Sequence, residues 1–477
     1  MKIIPNHGCL KQMYSSILSI VICTFALSIT PDAWGSGFVV ARFGGEHGHP
    51  TTNNLSAIYY NPGALSLGSG TRLMIDATLA HRSVDYTRPE AAISSPGAGT
   101  PNDIFGANSG TATLRNFAGS PFIALASDFG VPELTVAFGL YVPFGGGASW
   151  DENDAITPAQ SAQYPGVIDG QQRWWSIDSS LKAIYMTLAA SYKVSDQLHI
   201  GVSFNRVSTS IDTIRARTVP APETDDIVGP SGLVEGRSYL SASAADYSVG
   251  FGLVYKPTQS LRFGYSYQSQ PGFGEIRLKG DLKVTDHIAQ RDPAASGLLM
   301  SLPDIHRLGM QYGEKRKWQV RLFADYVRWS VFDRQCLVNN PEGECDEQSI
   351  TLNIQRDWHD AFGVRLGGSY WISDPVELYA GFGYDANAAS DRGADPSLFD
   401  MDKLSVALGA RLSLLKNAMR LGLTFTQVIY MTRKVDVVRN EDGKAYNGFP
   451  GASGGPSPAG TYEQAVSVGN VYVEYMF

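Results

Sequence analysis

A chain of 477 residues would ordinarily divide into two or three soluble domains, but a large β-barrel of this length is one domain. The formal charge of -8 and a pI near 5.5 leave no clustered basic face, which excludes nucleic acid as a partner. The 50 Gly and 23 Tyr suit turning strands with aromatic girdles, and a mean hydropathy of -0.11 is compatible with a membrane barrel, where apolar and polar residues alternate.

Residues 1–35 read as a secretory leader. Lys2 and Lys11 are basic, Ser16 to Ile29 is apolar, and Ala33-Trp34-Gly35 places small residues where a signal peptidase cuts. The apolar run is short for a spanning helix and no basic stop-transfer cluster follows it. Cys23 lacks the small preceding residues of a lipidated cysteine.

Residues 36–69 are too rich in Gly, Asn and Pro for a strand ladder, and too rich in Phe, Tyr, Ile and Leu for a solvated tail. A wide barrel needs its lumen filled, and this segment is predicted to be a plug. Gly37, Phe38 and Asn61-Pro62-Gly63 are its expected gate residues, with Phe38 also touching ligand. Glu46-His47-Gly48-His49 admits two readings, a transition-metal site with a further ligand or hydrogen bonds between plug and wall. The second is the plainer, and no metal or cofactor is expected.

From residue 70 to 477, segments of about ten to sixteen residues alternate with period two, as transmembrane strands require. Val471, Val473, Tyr475 and Phe477 oppose Asn470 and Glu474; Trp318, Val320, Leu322 and Tyr326 oppose Gln319, Arg321 and Asp325. Short turns fall near 130–132, 195–196, 256–257, 314–315, 373–374 and 416–417. Long polar loops fall near 86–115, 144–179, 213–240, 272–302, 333–357, 386–400 and 433–464. The expected fold is an all-β transmembrane antiparallel barrel of about 14 strands, both ends on the periplasmic side.

Gly139 and Pro143 mark a kink in the third strand, since Gly permits bends and Pro removes a ladder donor. Trp174 and Trp175 in the following loop are candidates for ligand capture. The lumen arginines Arg262, Arg321, Arg365, Arg411 and Arg420 either line a wet interior, paired with Asp325, Glu377, Asp385 and Glu474, or hold a carboxylate head group. Arg321, Arg365 and Arg411 are the candidates for the latter. Cys336 and Cys345 flank a turn-forming Asn-Asn-Pro-Glu-Gly and are expected to close a loop as a disulfide. The histidines are scattered, and no Gly-x-Ser-x-Gly, His-Glu-x-x-His or Cys/His zinc spacing occurs, so no enzyme is expected.

Gly37-Phe38, the glycines at 44 and 45, and Ala57-Ile58-Tyr59-Tyr60-Asn61-Pro62-Gly63-Ala64-Leu65-Ser66 resemble the start of the FadL family of outer-membrane channels for long-chain fatty acids and other hydrophobic molecules. Trp318 to Asp333, Trp358 to Tyr384 and Leu398 to Gly409 extend the resemblance over the mature chain. Asn-Pro-Gly stands where the family usually has Asn-Pro-Ala. The resemblance implies passive uptake of fatty acids or hydrocarbons across a Gram-negative outer membrane, gated by the plug, whose shift would release cargo downward or through a lateral gap at the kinked strand, where Tyr141-Val142-Pro143-Phe144-Gly145 matches. It implies outer-membrane lipids, lipopolysaccharide and the barrel-assembly machinery as partners, the last reading Phe477 with Tyr475 and Val473, and a monomer. The alternative is a non-transporting surface protein, an adhesin or phage receptor, whose loops bind partners.

Overall fold

Alternation along each strand builds the wall. On the final strand Val471 and Phe477 are exposed while Tyr472 and Glu474 are buried, and on the strand from Trp318 the exposed set is Trp318, Val320, Leu322 and Tyr326. Each strand thus offers lipid an apolar face and the lumen a polar or aromatic one. The computed structural model describes residues 42–95, 100, 102–219, 224–286 and 292–477. The expected leader, Gly37 and Phe38 lie outside the described residues.

The strands are β1 (Arg72–Arg88), β2 (Gly110–Ser127), β3 (Leu134–Ser149), β4 (Asp178–Lys193), β5 (Leu198–Thr218) and β6 (Glu235–Tyr255). Four interrupted strands follow: β7 (Leu261–Gln268, then Glu275–Thr285), β8 (Ala294–Ser301, then Ile305–Glu314), β9 (Trp318–Val327, then Arg334–Val338) and β10 (Ile350–Gln355, then Ala361–Ser373). The ring is completed by β11 (Val376–Asp385), β12 (Lys403–Leu414), β13 (Met419–Tyr430, extended by Arg433–Val435) and β14 (Gly460–Met476). β14 pairs antiparallel with β1 from Arg72↔Met476 to Thr87↔Thr461, closing a barrel of 14 strands. A closed ring leaves no unpaired edge in the membrane.

Two of the expected long loops are shorter than the sequence suggested. The spans 272–302 and 333–357 contain the upper halves of β7 to β10. Their lumen face is apolar (Leu278, Leu282, Leu298, Leu337, Leu352), but their outer face carries Glu275, Arg277 and Lys279, so they lack the apolar belt by which a membrane strand is read. The interruptions in these four strands lie level with one another. Gln268, Ile305, Val327 and Ala361 form the row below them, and Glu275 pairs with Ser301 above. Trp329, Phe332 and Trp358 pack edge to face inside the break, with centroids 5.0–6.1 Å apart.

The third strand is bulged. Tyr141 pairs with Tyr185 and Phe144 with Ala183, so Val142 and Pro143 together face Ile184. Gly139 keeps ladder partners on both sides, Ala124 and Thr187, and the bend falls at Val142–Pro143. β1 pairs with β2 along its whole length, Arg72↔Ala126 to Arg88↔Gly110. β2 pairs with β3 only from Phe122↔Tyr141 to Ser127↔Val136. Above that point the ladder is broken, crossed by Ser120 Oγ donating to the Val142 carbonyl at 3.5 Å, until the Asp151 amide meets the Thr113 carbonyl at 2.9 Å.

Cys336 and Cys345 are bonded, with Cα atoms 6.1 Å apart. Cys336 lies across from Leu299 on the outer face of β8, and the loop it closes folds back over Gly297 and Leu299. Arg277 to Glu344 and Lys279 to Glu342 tie this flap to β7. Both are exposed ion pairs, which hold little on their own. Replacing both cysteines with Ser should therefore free the flap: limited proteolysis should cut at Glu342–Glu347 faster than in the parent, while heat-modifiable mobility of the barrel stays unchanged.

Candidate functional site

The lower lumen is filled by residues 42–69. Gly44 is left-handed (φ 76°) and its amide donates to Asp76 Oδ2 on β1 at 2.6 Å. A single helical turn, Ala57–Tyr60, ends at Asn61, whose Oδ1 accepts the Gly63 amide at 3.0 Å and caps the 3-10 helix Pro62–Leu67. Asn61 Nδ2 donates to the carbonyls of Pro50 (2.7 Å) and Leu253 (3.0 Å), joining two parts of the plug to β6. Phe43 packs on Phe122 and Tyr59, and Tyr59 on Tyr141, at 4.9–5.6 Å.

The wall makes room for this plug by omitting side chains. Gly201 on β5, Gly252 on β6, Gly264 on β7, Gly309 on β8, Gly367 on β10 and Gly381 on β11 each face a plug atom. A Cβ at Gly252 would fall 2.6 Å from Gly63 N, one at Gly264 2.9 Å from the Pro50 carbonyl carbon, and one at Gly309 3.1 Å from Pro50 Cβ. Glu46 occupies the space over Gly367 and Gly381. Gly139 belongs to the same set, because a Cβ there would meet Ile58 Cδ1 at 3.0 Å.

His47 uses both ring nitrogens. Nε2 donates to Glu377 Oε1 at 3.0 Å, since a carboxylate only accepts, and Nδ1 accepts from Tyr472 Oη at 3.0 Å. Burial, aided by the Arg411 guanidinium and outweighing Glu377, lowers its pKa to about 3, so the docked ring is neutral. His49 Nδ1 lies 2.9 Å from Thr51 Oγ1, and burial likewise holds its pKa well below the usual value. No group of His, Cys, Asp and Glu among the described residues is arranged to hold a metal.

Most lumen arginines have partners on neighbouring strands. Arg365 binds Asp325 (3.0 Å) and Asp385 (2.7 Å), Arg420 binds Glu474 (3.0 Å), Arg411 binds Glu377, and Arg321 donates to Ser369 Oγ at 2.7 Å. Arg321 and Arg411 are packed beside the plug, and of the three candidates only Arg365 reaches the open lumen above it. That space is a cavity lined by Arg42, Arg307, Arg365 and Lys403 against Asp325, Asp385 and Asp400. Lys403 is tied to Asp400 at 2.7 Å. Arg307 has no carboxylate partner among the described residues; its guanidinium lies 4.3 Å from the Tyr59 ring and Nη2 is unpartnered. Sequence reasoning passed over Arg307, yet it follows the same alternation, with Arg307, Gly309 and Gln311 opposing Leu308, Met310 and Tyr312.

A second cavity lies in the upper lumen, lined by Leu240, Leu298, Leu337, Leu352, Ile354 and Leu398 and reaching Gly146 and Gly147 beside the opening between β2 and β3. From the lumen side Arg82 reaches this opening, its Nη1 donating to the Gly147 carbonyl at 2.8 Å. Trp175 lines the cavity. Trp174 does not: its indole is buried among the outer loops, Nε1 donates to Asn108 Oδ1 at 2.7 Å, and Arg173 covers its face while binding Glu235 at 2.9 Å.

A closed barrel with an apolar belt, a plug seated on wall glycines and an apolar cavity above it is an outer-membrane channel for hydrophobic compounds. Residues 36–477 match the family model described as outer membrane protein transport protein (OMPP1/FadL/TodX), and the chain belongs to that family of Gram-negative outer-membrane proteins. It is 24% identical over 386 residues to an outer membrane protein of Neisseria meningitidis, covering 76% of this chain and 78% of that one. It is 20% identical over 409 residues to the long-chain fatty acid transport protein of Escherichia coli, covering 80% and 84%. Among solved structures it is similar to a Pseudomonas aeruginosa FadL homologue, with a TM-score of 0.72 at 17% identity over 93% of this chain and all of that one.

Two outcomes follow from the plug seat. Gly252→Leu should displace the Asn61–Gly63 turn without unfolding the barrel, so planar-bilayer conductance should rise while heat-modifiable mobility persists. The second outcome concerns pH. A free imidazole titrates near 6.5 and docked His47 at about 3, so undocking takes up a proton between those values. Docking therefore weakens as pH falls through this window, by about 1.4 kcal/mol per pH unit. Protease access to the plug should rise on going from about pH 7.5 to 5, and His47→Gln should lessen that response, leaving the share of His49, whose buried ring is likewise held below its usual value.

Proposed function

We propose that this chain mediates passive uptake of hydrophobic molecules, among them ionised long-chain acids, with the plug as its gate. The observation that carries the reading is the order of the two cavities: an apolar chamber above, and below it a charged one whose floor is the plug. A tail-bearing carboxylate fits this series with its head group at Arg307 and its chain among Leu240, Leu298, Leu337 and Leu352.

The head group bears on the route. Lateral release through the opening between β2 and β3 suits a neutral hydrocarbon resting beside Gly146 and Gly147. For a carboxylate the same path strips water from a charge at a cost of several kcal/mol. A neutral cargo takes the lateral path directly, and an ionised one takes it once its carboxylate has gained a proton, or leaves downward past a displaced plug. Trp175 lies in the upper chamber, where an indole offers a broad apolar face to arriving cargo.

Binding of decanoate and decanol to the purified full-length protein, measured by calorimetry, tests this reading. Arg307→Gln should weaken decanoate binding on the order of 30-fold, the equivalent of about 2 kcal/mol for a charge-assisted hydrogen bond, and leave decanol within twofold of the parent. Equal loss for both ligands would remove Arg307 as the head-group residue.

A further inference from the structure

We propose that Arg82 and Asn116 form a head-group site for a carboxylic acid on the lumen side of the gap between β2 and β3, where cargo is held while its tail enters the bilayer. The inference rests on the lateral branch of the reading above. The ladder places both residues at the gap. On β2 the lumen-facing Ser120, Ala118 and Asn116 stand opposite Thr78, Ala80 and Arg82 of β1, while Phe117 faces lipid. No ladder pair joins this stretch of β2 to β3, since their pairing ends at Phe122↔Tyr141. Arg82 crosses behind the gap from β1 to the Gly147 carbonyl on β3. It also stands between the two cavities: its ladder partner on β14, Val466, lines the charged one, and Gly147 lines the apolar one.

Both side chains have bonding capacity to spare. Asn116 Oδ1 and Nδ2 are buried, and among the described residues neither has a hydrogen-bond partner. A buried amide left in this way costs stability, and a polar cargo group at the gap would complete it. Arg82 is 7% exposed, and among the described residues no carboxylate is bonded to it. Its partners are uncharged acceptors, the Gly147 carbonyl at 2.8 Å and Gln464 Oε1 at 3.1 and 3.3 Å, with the Phe399 ring 5.5 Å from its guanidinium carbon. The ionisable side chain that acts on its charge is Tyr430, a phenol and not a carboxylate. A carboxylate is a stronger acceptor than a carbonyl or an amide and displaces these bonds. Asn116 complements the head group in either state of protonation: Nδ2 donates to a carboxylate oxygen, and Oδ1 accepts the O–H of the acid. Once the carboxyl carries a proton, Arg82 holds it less tightly and the neutral head group follows its tail between the strands.

The test expresses the full-length protein in a Gram-negative host that lacks its own channels for hydrophobic compounds, and measures initial uptake of labelled decanoate and toluene by whole cells. Arg82→Gln should lower decanoate uptake about tenfold and Asn116→Leu about fivefold, the scale of a charged and an uncharged hydrogen bond, with toluene uptake within about twofold of the parent in both. Arg82→Lys, which keeps the charge, should retain most of the decanoate uptake. Asn116→Leu removes no bond of the protein, so it should leave heat-modifiable mobility unchanged and carries the test if Arg82→Gln folds poorly. Unchanged decanoate uptake overturns the proposal. A parallel change for decanoate and toluene does so too, because it marks Arg82 as a strap between strands. Ala118→Trp, on the lumen face of the gap, should lower uptake of both probes. If it leaves both at parental rates, the lateral reading fails and this site with it. If it blocks both while the Arg82 and Asn116 variants behave as the parent, the site alone fails.

Discussion

The lower half of this molecule depends on backbone-to-backbone contact between plug and wall. Glycine is a poor strand residue, since it packs nothing and gives up more chain entropy than any other. Here six of the seven neighbouring strands β5 to β11 each present one to the plug, and the exception, β9, presents Arg321 at that depth. The missing side chains make a hollow that the Asn61–Gly63 turn, Pro50 and Glu46 fill. The local weakness of each strand is offset by the ladder on either side and by the plug that covers it. The fit is therefore geometric rather than adhesive.

The polar chemistry of the interface serves the same end. Buried polar groups cost stability unless they are bonded, and the plug meets the wall through bonds that are individually complete: Gly44 to Asp76, His47 to Glu377 and Tyr472, Asn61 to Leu253. Most of the charged residues of the wall satisfy one another across adjacent strands, as Arg365 does with Asp325 and Asp385. The plug sits in a lumen whose charges are largely paired with one another. Arg307, Arg82 and Arg321 stand apart from that background, each without a bonded carboxylate among the described residues.

Much of this was legible in the sequence, and the reason is the period of two. Outward faces such as Trp318, Val320, Leu322 and Tyr326 announce themselves because lipid demands apolar residues at every second position, and the short turns mark one rim. Where lipid is absent the signal fades. The upper halves of β7 to β10 stand above the membrane with charged outer faces, and they read as loop. Arg307 was overlooked beside that misread span. Gly139 and Pro143 look alike as strand irregularities, but only the register distinguishes a bulge at Pro143 from a cavity for Ile58 at Gly139. Partners far apart in the chain, such as His47 and Glu377, carry no sequence signal at all, and burial of Trp174 depends on Asn108 and Arg173, which no spacing rule connects.

The level break across β7 to β10 divides the wall into two hydrogen-bonded tiers joined by short hinges and an aromatic cushion of Trp329, Phe332 and Trp358. Register in a continuous strand is inherited from end to end: one residue inserted near the top would turn every side chain below it from lumen to lipid. An interruption absorbs such a slip. Residues gained or lost in the outer tier along these strands are taken up at 269–274, 302–304, 328–333 and 356–360, and the glycine seat beneath keeps its alignment. The outer tier can thereby change length and sequence while the plugged tier below keeps its register.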